Sequence, residues 1–217
     1  MRNLCTLTTA VVLMALAAPS ALGAKPAAKP TVTIALSHST VTYGNNTTVS
    51  GVLSTGAAGV NTTRQSLMFP FSGPFADSAT TPTVAGGGYA FTVLGTQTAR
   101  FQVVAGTKPG ATSPVVTLTV RRRLGLRVSD LTPAKGRRVN FIGVSKPADA
   151  GAVVSVQRRA LVGWKTIATT TLKAATAGAS TYGVRVAISH SGRYRTVVPG
   201  SLGYVAGTSP AERLTVH

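Results

Sequence analysis

The chain has 217 residues, 22 of them Lys or Arg against four acids, for a formal net charge of +18. Thr, Val and Ala dominate, Gly and Pro are plentiful, and no Leu-Glu-Lys-rich stretch marks a helix, so the composition points to an all-β chain and away from helical bundles. A chain this basic resists self-association and adheres to polyanions at low salt.

Residues 1–23 carry the marks of a secretory signal: Arg2 as a minimal basic start, an apolar run from Ala10 to Ala18, and small residues around Ala21 and Gly23 for cleavage. The apolar run is about half of the ~20 residues that span a bilayer, so no transmembrane anchor is expected in the mature chain. Cys5 is the only cysteine and would leave with the signal. The expectation is a secreted or extracellular protein without disulfides, retained non-covalently at the cell surface. Residues 24–30, with Lys25, Pro26, Lys29 and Pro30, form a short basic Pro/Ala tether.

From Thr31 the pattern turns to period two. Residues 31–36, 47–53, 61–69, 89–93 and 100–104 read as strands, separated by turn chemistry such as Tyr43-Gly44-Asn45-Asn46 and Gly86-Gly87-Gly88. Phe69-Pro70-Phe71-Ser72-Gly73-Pro74-Phe75 has two prolines in five residues and is no central strand. The closing strand, Ser113-Pro114 through Leu118-Thr119-Val120, returns about 96 residues later as Ser209-Pro210 through Leu214-Thr215-Val216. That offset is one small all-β domain laid down twice. The second copy then reads as strands over 124–128, 139–144, 182–186 and 192–198, with a hairpin of 151–159 and 164–172 around Ala160-Leu161-Val162-Gly163. The fold predicted is two tandem β-sandwich domains, 31–120 and 121–217, joined at Arg121-Arg122-Arg123 by a linker too short for free swinging.

The chain resembles the tandem bacterial immunoglobulin-like domains of exported proteins from high-GC bacteria. In the first unit the likeness lies in Tyr43-Gly44, Val49-Ser50-Gly51, the Phe69–Phe75 run, Gly88-Tyr89-Ala90-Phe91 and Arg100-Phe101-Gln102-Val103. In the second it lies in Val154 to Arg159, Trp164, Ala168, Gly192-Arg193-Tyr194-Arg195 and Gly207-Thr208-Ser209. The resemblance implies an Ig-like fold in both units and speaks weakly to function. It departs from antibody domains in lacking the inter-sheet cysteine pair, so Trp164 and Tyr194 are expected to pack the core unbridged. Tyr194 is placed for a tyrosine corner.

No enzyme chemistry is legible. His38, His190 and His217 have no HxxxH or HxH neighbour, the acids Asp77, Asp130, Asp149 and Glu212 make no D-x-D loop, and no G-x-S-x-G, S-x-x-K or Walker glycine loop occurs. The expectation is a non-enzymatic protein with no catalytic or metal site and no cofactor, structural or adhesive at the cell envelope. Two surfaces could bind. The charge is uneven: residues 31–120 carry Arg64, Arg100 and Lys108 against Asp77, net +2, whereas 121–217 carry sixteen Lys and Arg against three acids, net +13. The candidate polyanion-binding residues are therefore Arg121, Arg122, Arg123, Arg137, Arg138, Arg158, Arg159, Arg185, Arg193 and Arg195. Arg193 and Arg195 flank inward Tyr194 and should share an outer face, with Arg185 joining them by the period-two rule. Their partner would be an anionic envelope polymer or polysaccharide, or an unidentified protein; no module for sequence-specific nucleic-acid reading is present. The second surface is the aromatic loop Phe69, Phe71 and Phe75, which could stack on sugars. Its rings are expected instead to fold back and cap their own sandwich.

Overall fold

The computed structural model describes residues 28–106, 110–176 and 178–217, and these are all-β. The signal segment, Cys5 and residues 24–27 of the tether lie outside the described residues. The first unit is built from β1 (Ala35–Leu36), β2 (Thr40–Thr42), β3 (Asn46–Val52), β4 (Asn61–Met68), β5 (Ala76–Pro82), β6 (Gly88–Leu94), β7 (Ala99–Ala105), β8 (Ala111–Thr112) and β9 (Val116–Arg121). One antiparallel sheet runs β1-β3-β6; the facing sheet runs β5-β4-β7-β9, with β8 on β7 and β2 lying parallel along β9. Three strands packed against four, with the opening segment shared between both sheets, make an immunoglobulin-like sandwich.

The second unit repeats the plan with β10 (Arg123–Leu124), β11 (Arg127–Val128), β12 (Arg138–Lys146), β13 (Val153–Arg159), β14 (Trp164–Thr171), β15 (Lys173–Ala174), β16 (Ser180–Ala187), β17 (Gly192–Val198), β18 (Tyr204–Val205), β19 (Gly207–Thr208) and β20 (Glu212–Leu214). Strands β10 and β11 pair with β12, which continues to β16 and β15; the opposite sheet is β14-β13-β17 with β19 and β20. The bonds of the first unit recur at equivalent places. Thr119 N–H donates to the Ser39 carbonyl, and Thr215 N–H to that of Leu131.

The duplicated Ser-Pro explains itself in this frame. Proline has no N–H for the ladder, and the buried serine before it ties the strand to its neighbour through the side chain. Ser113 Oγ accepts from Val103 N–H and Ser209 Oγ from Thr196 N–H, both at 2.9 Å, and each hydroxyl donates to the carbonyl of its own proline at 2.8 Å. A second duplicated device joins the opening strand to the core. The Tyr89 hydroxyl donates to the Thr33 carbonyl, and that of Tyr182 to Gly125 at 2.7 Å. Each phenol lies over a glycine: a Cβ on Gly51 or Gly143 would stand 2.5 Å from the Tyr89 or Tyr182 oxygen. Only glycine lets the ring come so close. Tyr194 donates to the His190 carbonyl four residues upstream, the tyrosine corner expected of it.

Trp164 is not in the core. Pairing across the hairpin sets it opposite Arg159, and along β13 the buried residues are Val154 and Val156. Residue 159 is out of phase with them, so Arg159 and Trp164 share the outer face. The register slips beyond this point, between Val156 and Gln157, and Ile167 and Ala168 both pack on the core.

The two sandwiches meet along a shared seam. Leu118, Val120, Arg122 and Leu124 are all buried while Arg121 and Arg123 are exposed, so one extended run passes through the linker without losing its alternation. Strand β18, from the loop between β17 and β19, lies parallel to the end of β9, Tyr204 opposite Val120 and Val205 opposite Arg121. It continues the first unit's sheet with backbone from the second. Tyr204 donates to the Thr96 carbonyl at 2.9 Å, the Thr98 hydroxyl donates to Gly203, and the Phe69 ring lies against Gly203, which has φ of 79°. Arg122 is fully buried at this seam. Its Nη2 donates to Asp149 Oδ2 and Ser201 Oγ, both at 2.6 Å, and its guanidinium lies 5.4 Å from the Tyr204 ring centre. Its Nε and Nη1 are buried without a hydrogen-bond partner among the described residues.

Two outcomes follow from these contacts. Arg122→Ala should destabilise the protein by roughly 3 kcal/mol, because it strands Asp149 and opens a cavity; urea unfolding measures this, and limited proteolysis should find a new cut near residue 122. Burial also holds the Tyr89 and Tyr182 phenols up at about 12, the Thr196 hydroxyl opposing it slightly at Tyr182. A raised folded-state value makes that stability complete below the ordinary value near 10 and lost as pH climbs towards 12. Stability measured by urea should fall steeply over that window, and less steeply in Tyr182→Phe.

Candidate functional site

The basic residues divide into four places. Arg121 and Arg123 are exposed at the domain junction, the first at the end of β9 and the second on β10 opposite Lys146. Arg122, between them, is removed from any solvent-facing surface, since its alternation turns it inward onto Asp149. Arg185 does not join Arg193 and Arg195. It lies on β16, opposite Asn140, in the other sheet, and the outer faces of a sandwich's two sheets point in opposite directions.

The third place is the outer face of the β14-β13-β17 sheet. Gln157 is in register with Thr166 on one side and Arg195 on the other, and Arg195 Nε donates to Gln157 Oε1 at 2.9 Å. The Arg195 guanidinium lies 4.0 Å from the Trp164 ring centre and that of Arg159 lies 5.7 Å away. Burial, then the neighbouring Arg159, lowers the Arg195 guanidinium from its ordinary value, but an arginine stays charged. Arg193 continues this face opposite Arg213. The indole holds like charges together through cation–π contact and leaves their remaining N–H groups free for an anion.

The fourth place is the end of the second sandwich farthest from the seam, where three connections meet. Gly136 N–H donates to the Ile188 carbonyl, Lys135 N–H to that of His217, and Val216 N–H to Ser191 Oγ. This brings the β11–β12 turn, with Lys135, Arg137 and Arg138, beside the β16–β17 connection that holds His190. The β13–β14 hairpin adds Arg158, Arg159 and Lys165. Arg158, Lys165 and His190 line one cleft of about 210 Å³ floored by Tyr194 and Ile188. Burial raises the Tyr194 phenol, and Arg158 opposes it. Asp130 stands near one of these cations, its Oδ2 3.8 Å from Arg137 Nε. No other ion pair is formed at this pole among the described residues. Lys135 and Lys165 belong to it though the sequence did not mark them; the signal was there, in their placement at turns that a sandwich puts at the same end.

The capping expected of the aromatic loop does not hold for Phe69. Phe69 packs across the seam on Gly203 instead of capping its own sandwich, because its N–H is tied to Thr98 and its carbonyl to Gln97, beside the incoming β18. Phe71 sits edge-on to Phe69 at 5.6 Å and lies under Arg100 at 4.3 Å. Phe75 remains half-exposed just before β5. Elsewhere the first unit offers little. Arg64 is half-buried, 5.6 and 5.4 Å from the Phe91 and Phe101 rings, and burial lowers it from its ordinary value. Among the described residues no three His, Cys, Asp or Glu side chains gather as metal ligands.

Strand order and site together define a class: two immunoglobulin-like sandwiches fused into one unit, with a basic face and pole on the second. No protein-family model matches the chain, and no curated protein matches it. Among solved structures the chain is similar to the "D0-D1 domain of Intimin", at 13% identity and a TM-score of 0.30, over 85% of this chain and 97% of that one. So loose a likeness adds no argument to the strand order.

Arg195→Ala should uncover Trp164, the chain's one tryptophan. Acrylamide quenching should rise and the emission maximum move to longer wavelength, with stability changed by about 1 kcal/mol or less.

Proposed function

We propose that the chain is an exported, non-enzymatic adhesive module of the cell envelope, gripping an anionic surface with its second domain. The reading takes residues 1–23 as a removed signal, 24–30 as a tether, and 31–120 and 121–217 as the two domains. One observation carries it: six Lys and Arg from two separate connections converge on the pole remote from the first domain, with Asp130 the one carboxylate paired there. Like charges brought together raise the local potential, and a polyanion relieves their repulsion by releasing its counterions. The seam suits this role, since a stiff joint keeps the basic pole pointed away from the tether. Arg193 and Arg195 extend the same positive field along the adjoining face.

A salt titration of the purified protein against isolated envelopes and against polyphosphate tests the reading. Log affinity should fall linearly with log salt. Neutralising Lys135, Arg137 and Arg138 to Gln should lower the slope by about one for each cation that contacts a phosphate. Arg121→Gln with Arg123→Gln, at the seam, should leave it nearly unchanged. Equal losses from both sets would mean diffuse charge and no site.

A further inference from the structure

The β13–β14 hairpin carries its two most exposed apolar residues at its tip. Leu161 is 105% exposed and Val162 93%, whereas the next large apolar side chain, Leu202, is at 65%. Nothing in the described protein covers either one. The turn is closed by Ala160 N–H donating to the Gly163 carbonyl at 3.0 Å, and the last cross-strand pair, Arg159 with Trp164, sits directly behind it. The tip therefore projects from an ordered hairpin, with both side chains directed outward.

We infer that this tip inserts into an anionic lipid bilayer. The inference rests on the reading of the pole as an anion-gripping surface and names that surface. Three layers of chemistry are stacked along the hairpin in the order a membrane interface requires. Leu161 and Val162, at the point, carry no polar atom beyond their backbone and suit the acyl region. Trp164 comes next; its ring is apolar and its indole N–H polar, the combination that settles at headgroup depth. Arg159 stands level with Trp164; Arg158 and Lys165, the next cross-strand pair, follow at the level where lipid phosphates lie, and Lys135, Arg137 and Arg138 stand on the neighbouring turn of the same pole. A shallow apolar insertion and several cations each bind weakly alone and together hold a protein to an acidic membrane. A soluble polyanion accounts for the cations but gives no use to a bare Leu-Val pair. A protein partner would need an apolar socket ringed by acids; a flat acidic bilayer presents both features along its whole surface.

Trp164 reports the event directly. With vesicles of phosphatidylglycerol and phosphatidylcholine, the full chain should bind, its emission should shift to shorter wavelength, and brominated acyl chains should quench it. With phosphatidylcholine alone, binding should be weak. Leu161→Ser with Val162→Ser should weaken vesicle binding roughly tenfold or more and abolish the spectral shift, while leaving binding to polyphosphate and thermal unfolding as in the parent. Arg158→Gln with Lys165→Gln should weaken both vesicle and polyphosphate binding, by about fivefold per charge on the vesicle. Three results overturn the inference: the double-serine variant binds vesicles like the parent, Trp164 emission fails to shift, or the tip proves necessary only for capture of a protein partner. If the parent binds polyphosphate but not vesicles, the anionic pole stands and the bilayer falls. If it binds neither, both fall.

Discussion

The arrangement of the molecule depends on one buried guanidinium. Arg122 is the only residue between β9 and β10, and it faces inward where a linker residue ordinarily faces water. A charge so placed is tolerable only with partners, and Asp149 and Ser201 supply them from two different connections of the second unit. The Ser201 hydroxyl in turn donates to the same Asp149 oxygen at 2.8 Å, closing a three-membered ring of polar contacts. Ring and linker together fix which loops of the second sandwich face the first. By elimination they fix which end faces away.

Around that point the seam accumulates local compromises. Leu202 adopts φ of 51°, in a turn closed by Tyr204 N–H donating to Ser201. A β-branch-free but bulky side chain in the left-handed region stores about 1 kcal/mol or more. The loop between β17 and β19 accepts this conformation where Tyr204 and Val205 extend the neighbouring sheet, and the backbone bonds gained there offset it. The basic pole shows the opposite economy. Among the described residues its cations make few contacts, Arg137 beside Asp130 and Arg159 over Trp164 excepted, and the others remain available.

Much of this was legible in advance. The repeat at Ser113 and Ser209 is a real structural equivalence, down to the same two serine hydrogen bonds, and the inward alternation of Tyr89, Phe91, Phe101, Tyr182 and Tyr194 follows period two as written. Arg122 was legible too, had the alternation of Leu118, Val120 and Leu124 been carried through the arginine triplet. The charge run hid it. Trp164 misleads because a lone tryptophan suggests a core, whereas its hairpin partner Arg159 is out of phase with Val154 and Val156. The partners of Phe69 and Arg122 could not be read at all: Gly203 and Ser201 are remote in sequence, and only the docking of one sandwich on the other brings them close. The grouping of Lys135 with Lys165 needed the topology, which places alternate connections at one end.

The parallel pairing of β2 with β9 would have a mechanical meaning if the protein is held at its tether and grips at its pole, as proposed. Chain from the tether enters the first sandwich through β1 and β2 and leaves through β9. A pull between tether and pole therefore draws the opening of β2 and the close of β9 in opposite directions along their common axis. The bonds of Thr40 to Thr42 with Thr119 to Arg121 are then loaded together in shear instead of being unzipped one after another. Shear spreads the load across the whole short ladder, and β18, also parallel to β9, sits where that load passes into the second sandwich. Under the function proposed above, the first domain, poor in charge and in candidate binding residues, would be the part that carries this tension.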